Sequence, residues 1–333
     1  MEFPMPASPP IVRRCRAALL TIALAGTCAP LLAQTPAWPA KPITLVVPFP
    51  AGGGTDLVVR ALQPRLQKEL GQPLVIDNRA GAGGTLGSAL VARAPADGYT
   101  VGVATTSTHA VSVSVYPKLP FDPAKDFAYA GFIGTSPYVL ATTGALGKPD
   151  TKALLAALKA RPEGFSFASV GAGTVSHLLG EQFKAVAKVP LVHIPYRGAA
   201  PAYTDLISGQ VQLMFDNPAG LVPYIRAGRI HAVATTTPNA LLTGVPTFQQ
   251  QGLPGFDQSL WYGIVFPAQT PKAVVERFNQ ALNSVLSDRA VAAELAALGV
   301  NAAPGTPDTL QAAVVRDTAY WGRIAKTVGA RVD

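Results

Sequence analysis

Residues 43–87 decide the fold, because this stretch repeats one local pattern twice. Residues 43–54 read ITLVVPFPAGGG and residues 74–84 read LVIDNRAGAGG. In both, an apolar run typical of a buried strand ends in glycines, and a helix is predicted to follow from Thr55 and from Thr85. Such glycines let main-chain N–H groups approach a ligand, and the positive end of the next helix favours an anion. The repeat therefore predicts two sets of main-chain donors around one anion.

A third apolar run, residues 99–104, extends the pattern to three strands with helical connections. This order predicts a parallel, doubly wound sheet. Ligands of such sheets bind outside the carboxyl ends of the strands. Residues 49–54, 78–84 and 105–109, the last reading TTSTH, are therefore predicted to be loops that lie together at one edge.

The strand–loop–helix pattern begins again in the second half of the chain. A strand at 165–170 leads into a third glycine loop, GAGTVS at 171–176, and then a helix. After an exit loop at 197–201, a helix is predicted over 203–208, and another strand ends in Asp216. The second half therefore forms a second α/β domain of the same design.

Two segments are predicted to connect these domains. One is a continuous strand over 132–142, and the other is a strand over 261–267 that returns to the first domain. With crossings near 137 and 257, residues 36–136 and 258–333 form lobe 1. Residues 137–257 form lobe 2. Two doubly wound sheets joined by two crossover strands make a hinged clam, and the cleft between them is the predicted ligand site.

Composition agrees with a globular protein of two domains. The 333 residues are 49% hydrophobic and 14% charged, with a mean hydropathy of +0.27, which provides ample surface to bury. The formal net charge is +8, but the basic residues form neither a run nor a patch with interleaved aromatics. Nucleic-acid binding is therefore not predicted.

The first residues have the features of an export signal. Three arginines within residues 13–16 precede an apolar stretch, residues 17–25, that is too short to span a bilayer. Cleavage is predicted after Ala33, so residues 1–33 form a signal peptide and the protein is expected to be exported. The Arg13-Arg14 pair leaves the twin-arginine route open beside the general secretory route.

The two cysteines, Cys15 and Cys28, both lie in that segment. The mature chain is therefore predicted to contain no disulfide, no thiolate metal site and no cysteine nucleophile.

The sequence contains no motif of a known catalytic site. It has no phosphate-binding G-x-x-x-x-G-K-[ST] and no G-x-S-x-G nucleophile elbow, and residues 81–87 miss the dinucleotide spacing by one residue. The four histidines, His109, His177, His193 and His231, lack metal-ligand spacing. No enzyme activity, cofactor or metal is predicted.

Two side chains near the glycine loops, Phe49 and Asp216, have more than one interpretation, and a third, Asp56, has one. Phe49 is either ordinary core or an apolar lid over a ligand. Asp56 is interpreted as stabilising the N-terminus of its helix. Asp216 ends a strand of lobe 2, where it either accepts hydrogen bonds from a ligand amine or hydroxyl or holds a loop in place.

Several of these motifs, taken in order, resemble those of one protein family. They are PFPAGGGTD at 48–56, VIDNRAGAGG at 75–84, HLLGE at 177–181, YRGAAPA at 196–202 and GQVQLMFD at 209–216. Together they resemble the Bug family of periplasmic solute-binding proteins, the substrate-binding components of tripartite tricarboxylate transporters. The resemblance covers residues 36–333.

The resemblance implies a two-lobed periplasmic-binding-protein fold of type II, often called a Venus flytrap. It implies a carboxylate ligand, such as a di- or tricarboxylate, an aromatic acid or an acidic amino acid, held mainly by main-chain donors. In lobe 1 it points to Phe49, Ala51, Gly52, Gly53, Asp56, Asn78, Ala80, Gly81, Ala82 and Gly83, with Thr106, Ser107 and His109. In lobe 2 it points to Ser169, Gly171, Thr174, Ser176, Arg197, Ala202 and Asp216.

The implied role is that of an exported, monomeric receptor that closes over a small carboxylate. It would hand the acid to the membrane components of a tripartite tricarboxylate transporter. The alternative is a sensor, in which the closed form docks on a membrane histidine kinase.

Overall fold

Two β-sheets carry the fold, and the chain passes between them twice. The computed structural model describes residues 1–4 and 38–332, and the latter belong to one compact unit. Residues 5–33 of the predicted signal peptide, with both cysteines, lie outside the described residues. Within the described residues, no helix combines the length and the apolar character that crossing a membrane requires.

The first sheet contains six strands and defines lobe 1. Its strands are β1 (Ile43–Val47), β2 (Leu74–Asn78), β3 (Thr100–Thr105), β4 (Phe127–Pro137), β10 (Ser259–Pro267) and β11 (Asn301–Ala302). Their order is β11-β4-β10-β3-β1-β2. β1 pairs in parallel with β2 and β3, whereas β10 runs antiparallel to β3 and β4. The predicted parallel unit of three strands is therefore present and continues into antiparallel strands.

The second sheet contains five strands and defines lobe 2. Its strands are β5 (Val139–Thr143), β6 (Ser166–Ser169), β7 (Val192–Pro195), β8 (Leu213–Asp216) and β9 (Ile230–Thr235). They are ordered β7-β6-β8-β5-β9. β6 pairs in parallel with β7 and β8, and β5 runs antiparallel to β8 and β9.

Helices flank both sheets. They are α1 (Gly54–Leu70), α2 (Thr85–Ala92), α3 (Ser112–Val115), α4 (Thr151–Ala160), α5 (Val175–Ala187), α6 (Ala199–Ser208), α7 (Pro218–Arg226), α8 (Lys272–Leu286), α9 (Arg289–Ala297) and α10 (Pro307–Val328). Short 3₁₀ turns occur at Ala82–Gly84, Gly144–Leu146, Ala240–Leu242 and Gln249–Gln251, and a π-helical turn spans Ser107–Val111.

Three sequence predictions of local structure are corrected. The strand expected over 132–142 is divided at Tyr138, because β4 and β5 belong to different sheets. Helix α6 begins at Ala199 and not at 203, because Pro201 falls in the first turn, where its missing N–H removes no helical hydrogen bond. The loop expected at 105–109 is a buried turn, in which the Thr108 hydroxyl donates to the Thr105 carbonyl at 3.2 Å.

The core of lobe 1 contains one polar pair that joins the sheet to helix α10. The indole N–H of Trp261, on β10, donates to Oδ2 of Asp317 at 2.7 Å, and each of these two residues is only 1% exposed. Arg316 donates to the other carboxylate oxygen of Asp317 at 2.7 Å. Both partners of this buried bond are therefore satisfied, and the pair fixes α10 against β10.

Asp317→Ala should lower the free energy of unfolding by about 1–3 kcal/mol, because a buried indole N–H would lose its acceptor. Urea unfolding measures this change. Asp308→Ala, at an exposed position in the first turn of the same helix, is the matched control and should cost at most about 1 kcal/mol. Equal losses in the two variants would contradict this role for the Trp261–Asp317 pair.

Candidate functional site

A small cavity lies between the lobes, where β1 and β8 reach their carboxyl ends. Its volume is about 40 Å³, which gives room for roughly three water molecules. Lobe 1 and the two crossing segments contribute Phe49, Pro50, Gly53, Gly54, Thr55, Thr105, Ser107, Tyr138 and Leu260. Lobe 2 contributes Val170, Gly198, Ala199, Asp216 and Asn217. We call this space the interlobe cavity.

Three helices begin at the wall of the interlobe cavity. α1 follows Gly53, α6 follows Gly198 and α7 follows Asn217, and none of these N-cap residues accepts a hydrogen bond with its side chain. The first-turn N–H groups of a helix lack acceptors within the helix. Three sets of such donors, with the positive ends of three helix dipoles, therefore surround one space. This arrangement favours an anion.

Glycines allow the two lobes to approach each other at this cavity. A Cβ atom on Gly54 would overlap the side-chain amide of Asn217, and a Cβ atom on Gly198 would overlap the ring of Pro50. Gly198 also has φ +109°, a conformation that side chains disfavour. Gly54 and Gly198 therefore allow close contact between the lobes, in addition to leaving main-chain N–H groups accessible.

Asp56 and Asn78 organise the first glycine loop from behind. Oδ2 of Asp56 accepts hydrogen bonds from the Gly52 N–H at 2.9 Å and from Arg60 at 2.7 Å. Asn78 donates to Oδ1 of Asp56 and to the carbonyl of Phe49, both at 3.0 Å. Burial raises the pKa of Asp56, but these hydrogen bonds and the Arg60 charge outweigh it and hold the pKa below its ordinary value. Both residues therefore position the loop.

Asp216 lines the cavity, with its carboxylate already hydrogen-bonded within lobe 2. The hydroxyl of Tyr203 donates to it at 2.6 Å, and Asn217 donates through its main-chain N–H at 2.8 Å and its side-chain amide at 2.9 Å. Burial raises the pKa of Asp216 from 3.8 to about 6, although these hydrogen bonds oppose the rise. The carboxylate thus ties α7 and α6 to the end of β8.

The second glycine loop lies in a neighbouring, larger groove. This groove has a volume of about 600 Å³. Of the predicted residues it is lined by Phe49, Ala80, Gly81, Ala82, Gly83, Gly171 and Arg197. Phe49, Pro50, Val170 and Gly198 line both spaces and form the boundary between them. The first glycine loop therefore borders both spaces through Phe49 and Pro50, whereas the second glycine loop lines the groove.

Arg197 is the cationic side chain of this groove. It is exposed, and among residues 38–332 it forms no ion pair with a carboxylate.

Four further predicted residues of lobe 1, Ala51, Gly52, Thr106 and His109, line neither the interlobe cavity nor the groove. Ala51 and Gly52 are exposed at the tip of the first loop. The buried Thr106 hydroxyl accepts from the main-chain N–H of Trp261 at 2.9 Å. His109 lies in the core, its ring centroid 4.6 Å from that of Phe127, and burial lowers its pKa to about 3. Thr106 and His109 belong to the buried turn that sequence interpreted as a loop.

Four predicted residues of lobe 2 make structural contacts. Ser169 bonds to the ring of His193 at 2.7 Å, and Thr174 caps α5. Ser176 donates to the carbonyl of Phe215 at 2.5 Å. Ala202, which is 0% exposed, packs in the core of lobe 2.

Sequence reasoning missed several residues that line the interlobe cavity. Asn217, directly before Pro218, could have been found, since Asn followed by proline is a recognised helix start. Ala199 was hidden because its helix was predicted to begin later. No sequence pattern marks Tyr138 and Leu260 as cavity residues, because their positions depend on how the crossing segments pack.

His177, Glu181 and His193 are the described residues that come closest to a metal site. Their ligand atoms lie within 4.8 Å of one another. However, the two imidazole rings stack at 4.0 Å with only 12° between their planes, so their lone pairs cannot converge on one ion. Gly173 N–H donates to Nδ1 of His177 at 3.2 Å, and Glu181 pairs with Lys184. The stacked rings and these contacts indicate that the three side chains pack against each other and do not bind a metal ion.

The raised pKa of Asp216 gives a prediction for stability. Between about pH 4 and pH 6 the folded protein retains a proton that the unfolded chain releases. The stabilisation is therefore complete below about pH 4 and is lost as the pH rises through about 6. The rise of this pKa from 3.8 to about 6 corresponds to about 3 kcal/mol.

Unfolding free energies of wild type and Asp216→Asn, measured from pH 4 to 7, test this. The difference, variant minus wild type, should rise with pH by up to about 3 kcal/mol. Asp56→Asn is the control, because a lowered pKa changes stability only below about pH 4, so the same difference should stay nearly flat from pH 4 to 7. A flat difference for Asp216→Asn would contradict the raised pKa.

The chain is similar to proteins of one family, both in sequence and in structure. The model of the tripartite tricarboxylate transporter family receptor matches residues 58–330. The periplasmic binding protein BugD is 32% identical, with a TM-score of 0.84 over 88% of this chain and 99% of that chain. Rpa4515 of R. palustris, solved with adipate, is 34% identical, with a TM-score of 0.86 over 89% and 100%.

MatC of Rhodopseudomonas palustris, solved with bound malate, is 32% identical, with a TM-score of 0.82 over 86% of this chain and 99% of that chain. These matches confirm the predicted two-lobed periplasmic-binding-protein fold. The chain belongs to the tripartite tricarboxylate transporter receptor family, the family of the Bug periplasmic binding proteins that its motifs resemble.

Proposed function

We propose that this protein is a periplasmic receptor that captures a small dicarboxylate between its lobes and delivers it to the membrane components of a tripartite tricarboxylate transporter. One observation carries the proposal. Three uncapped helix N-termini, one from lobe 1 and two from lobe 2, line the interlobe cavity. The receptor binds its ligand without chemical change and acts as a monomer.

The donors come from both lobes, and this couples binding to closure. A carboxylate at the N-terminus of α1 gains the donors of α6 and α7 only when lobe 2 approaches. Each favourable charge at a helix N-terminus contributes roughly 0.3–1 kcal/mol when exposed and up to about 2 kcal/mol when partly buried. An anion therefore favours the closed arrangement, because only there are all three sets of donors within reach.

The two neighbouring spaces suit a ligand with two acidic ends. The interlobe cavity has room for little more than one carboxylate and its waters. The larger groove, beyond Phe49 and Val170, offers the exposed guanidinium of Arg197 and the main chain of the second glycine loop. We assign the second carboxylate to the groove. Adipate and malate, present in the R. palustris structures, each carry two carboxylates.

We assign Asp216 a positioning role. Its two oxygens already accept three hydrogen bonds from Tyr203 and Asn217. These bonds hold the second turn of α6 and the start of α7 against the end of β8, so the donors of both helices point to the same space.

Thermal unfolding with adipate and malate tests the ligand class. At 100 times its dissociation constant, a ligand adds about 2.7 kcal/mol to the free energy of unfolding. A bound diacid should therefore raise the melting temperature, whereas its uncharged diamide should not. If the diamides stabilise the protein as well as the acids do, the anion site is refuted.

Ala199→Leu tests the position of the site. Ala199 is 6% exposed and lines the interlobe cavity, so a leucine there should fill the cavity and weaken binding of the stabilising diacid at least tenfold in calorimetric titration. Ala200→Leu, one residue along the same helix and exposed, is the control and should bind normally. Equal affinity of both variants would place the ligand elsewhere.

The transport role needs a separate test in cells. A strain that lacks this protein should lose uptake of the labelled diacid at micromolar concentrations. If uptake is unchanged while transcriptional induction by the diacid is lost, the protein acts as a ligand sensor for a membrane histidine kinase.

A further inference from the structure

We infer that Tyr116 sets the ligand affinity of this receptor from outside the interlobe cavity, by fastening the closed lobes to each other. Tyr116 and Gly83 of lobe 1 meet residues 171–173 of lobe 2 at the far side of the groove, beside Val332, which follows helix α10. We call these six residues the clasp. The effect on affinity rests on the proposed function, whereas the contact between lobes does not.

The central bond of the clasp joins a side chain to the main chain of the other lobe. The hydroxyl of Tyr116 donates to the carbonyl of Ala172 at 3.0 Å. Burial raises the pKa of Tyr116, so this hydroxyl remains a donor at neutral pH. Tyr116 lines the groove but not the interlobe cavity.

Glycines on both sides are needed for this approach. Gly83 has φ +62°, and an added Cβ atom would lie 2.8 Å from the Ala172 carbonyl oxygen and 2.9 Å from the Tyr116 hydroxyl. Gly173 has φ +76°, and a Cβ atom there would lie 2.7 Å from the Tyr116 ring and 3.0 Å from Val332. An added Cβ atom on Gly83 would thus overlap the Ala172 main chain, and one on Gly173 would overlap the Tyr116 ring. The second and third glycine loops therefore pack against each other.

Val332, near the end of the chain, also contacts both lobes at the clasp. The main-chain N–H of Val332 donates to the carbonyl of Val115 at 2.9 Å, which places Val332 beside Tyr116. Its side chain faces Gly173 of lobe 2. Near the clasp, the N–H of Val175, the first residue of α5, donates to the Ser107 hydroxyl of lobe 1 at 3.1 Å. The third glycine loop thus has a function that needs no ligand.

These contacts exist only when the lobes are together, so they stabilise the closed arrangement against an open one. A binding-competent conformation that is only partly populated raises the apparent dissociation constant by the inverse of its population. Loss of the Tyr116 hydroxyl should therefore lower the closed-to-open ratio of the free protein by about 2- to 12-fold, the range that one hydrogen bond gives. The apparent affinity for ligand should fall by up to the same factor.

Distances between two spin labels measure closure directly. Labels at Val75→Cys in lobe 1 and Val192→Cys in lobe 2 suit this purpose, because these residues are 51% and 62% exposed. Replacing Cys15 and Cys28 with serine leaves the introduced cysteines as the sole labelling sites, since the chain has two cysteines. Pulsed electron resonance then gives the open and closed populations with and without adipate or malate.

Tyr116→Phe should show a larger open population than wild type without ligand and the same closed distance at saturating ligand. Tyr129→Phe is the matched control, because the Tyr129 hydroxyl donates to the carbonyl of Pro123 at 2.8 Å within lobe 1. It should leave the distance distribution unchanged. An unchanged distribution in Tyr116→Phe would overturn the proposal.

Gly83→Ala gives a second, steric test, and it should open the free protein further than Tyr116→Phe does. Gly71→Ala is its control, since Gly71 has φ +72° with no atom within 4 Å of an added Cβ. An alanine at this position has the same unfavourable positive φ but does not contact lobe 2, so the Gly71→Ala protein should stay closed. If Gly83→Ala stays as closed as Gly71→Ala, the clasp is refuted. If neither diacid binds wild type, the proposed function fails, while the ligand-free distances still decide the clasp.

Discussion

The first-turn N–H groups of α1, α6 and α7 place the main constraint on this structure. Such groups need acceptors, and their helices begin without a capping side chain. In each lobe a strand ends where the chain turns into a helix, so these donors gather at the carboxyl edge of each sheet. The lobes face each other through these edges, and the interlobe cavity lies where they meet.

Polar groups behind the loops keep this arrangement in place. In lobe 1, Asp56 and Asn78 hold the first glycine loop to its helix and to β2. In lobe 2, Asp216 accepts from Tyr203, in the second turn of α6, and from Asn217, which precedes α7. Each carboxylate is buried and fully hydrogen-bonded, as low dielectric surroundings require. The two differ in charge balance, because Asp56 has Arg60 beside it and Asp216 has only neutral donors.

Local pattern was sufficient for much of the fold. Apolar runs of five or six residues followed by glycine specify strand, turn and helix start within one window, so the strands around residues 43–47 and 74–78 were predicted close to their observed bounds. The helix at Ala199 was placed late because residues 197–201 were predicted to be an exit loop, although Pro201 is compatible with a first helical turn. The buried turn at Ser107–Val111 was missed because its polar residues satisfy one another locally, which composition does not reveal.

The sequence by itself determined the class of fold, the family and the presence of three glycine loops that lead into helices. Only the tertiary structure decided how those loops are used. The first meets α6 and α7 at a small cavity, whereas the second and third meet each other through Gly83 and Ala172. All three look alike in sequence because each needs the same backbone freedom. Whether that freedom admits a ligand or a facing main chain depends on which surface the other lobe brings against it, and this is set by packing between residues far apart in the chain.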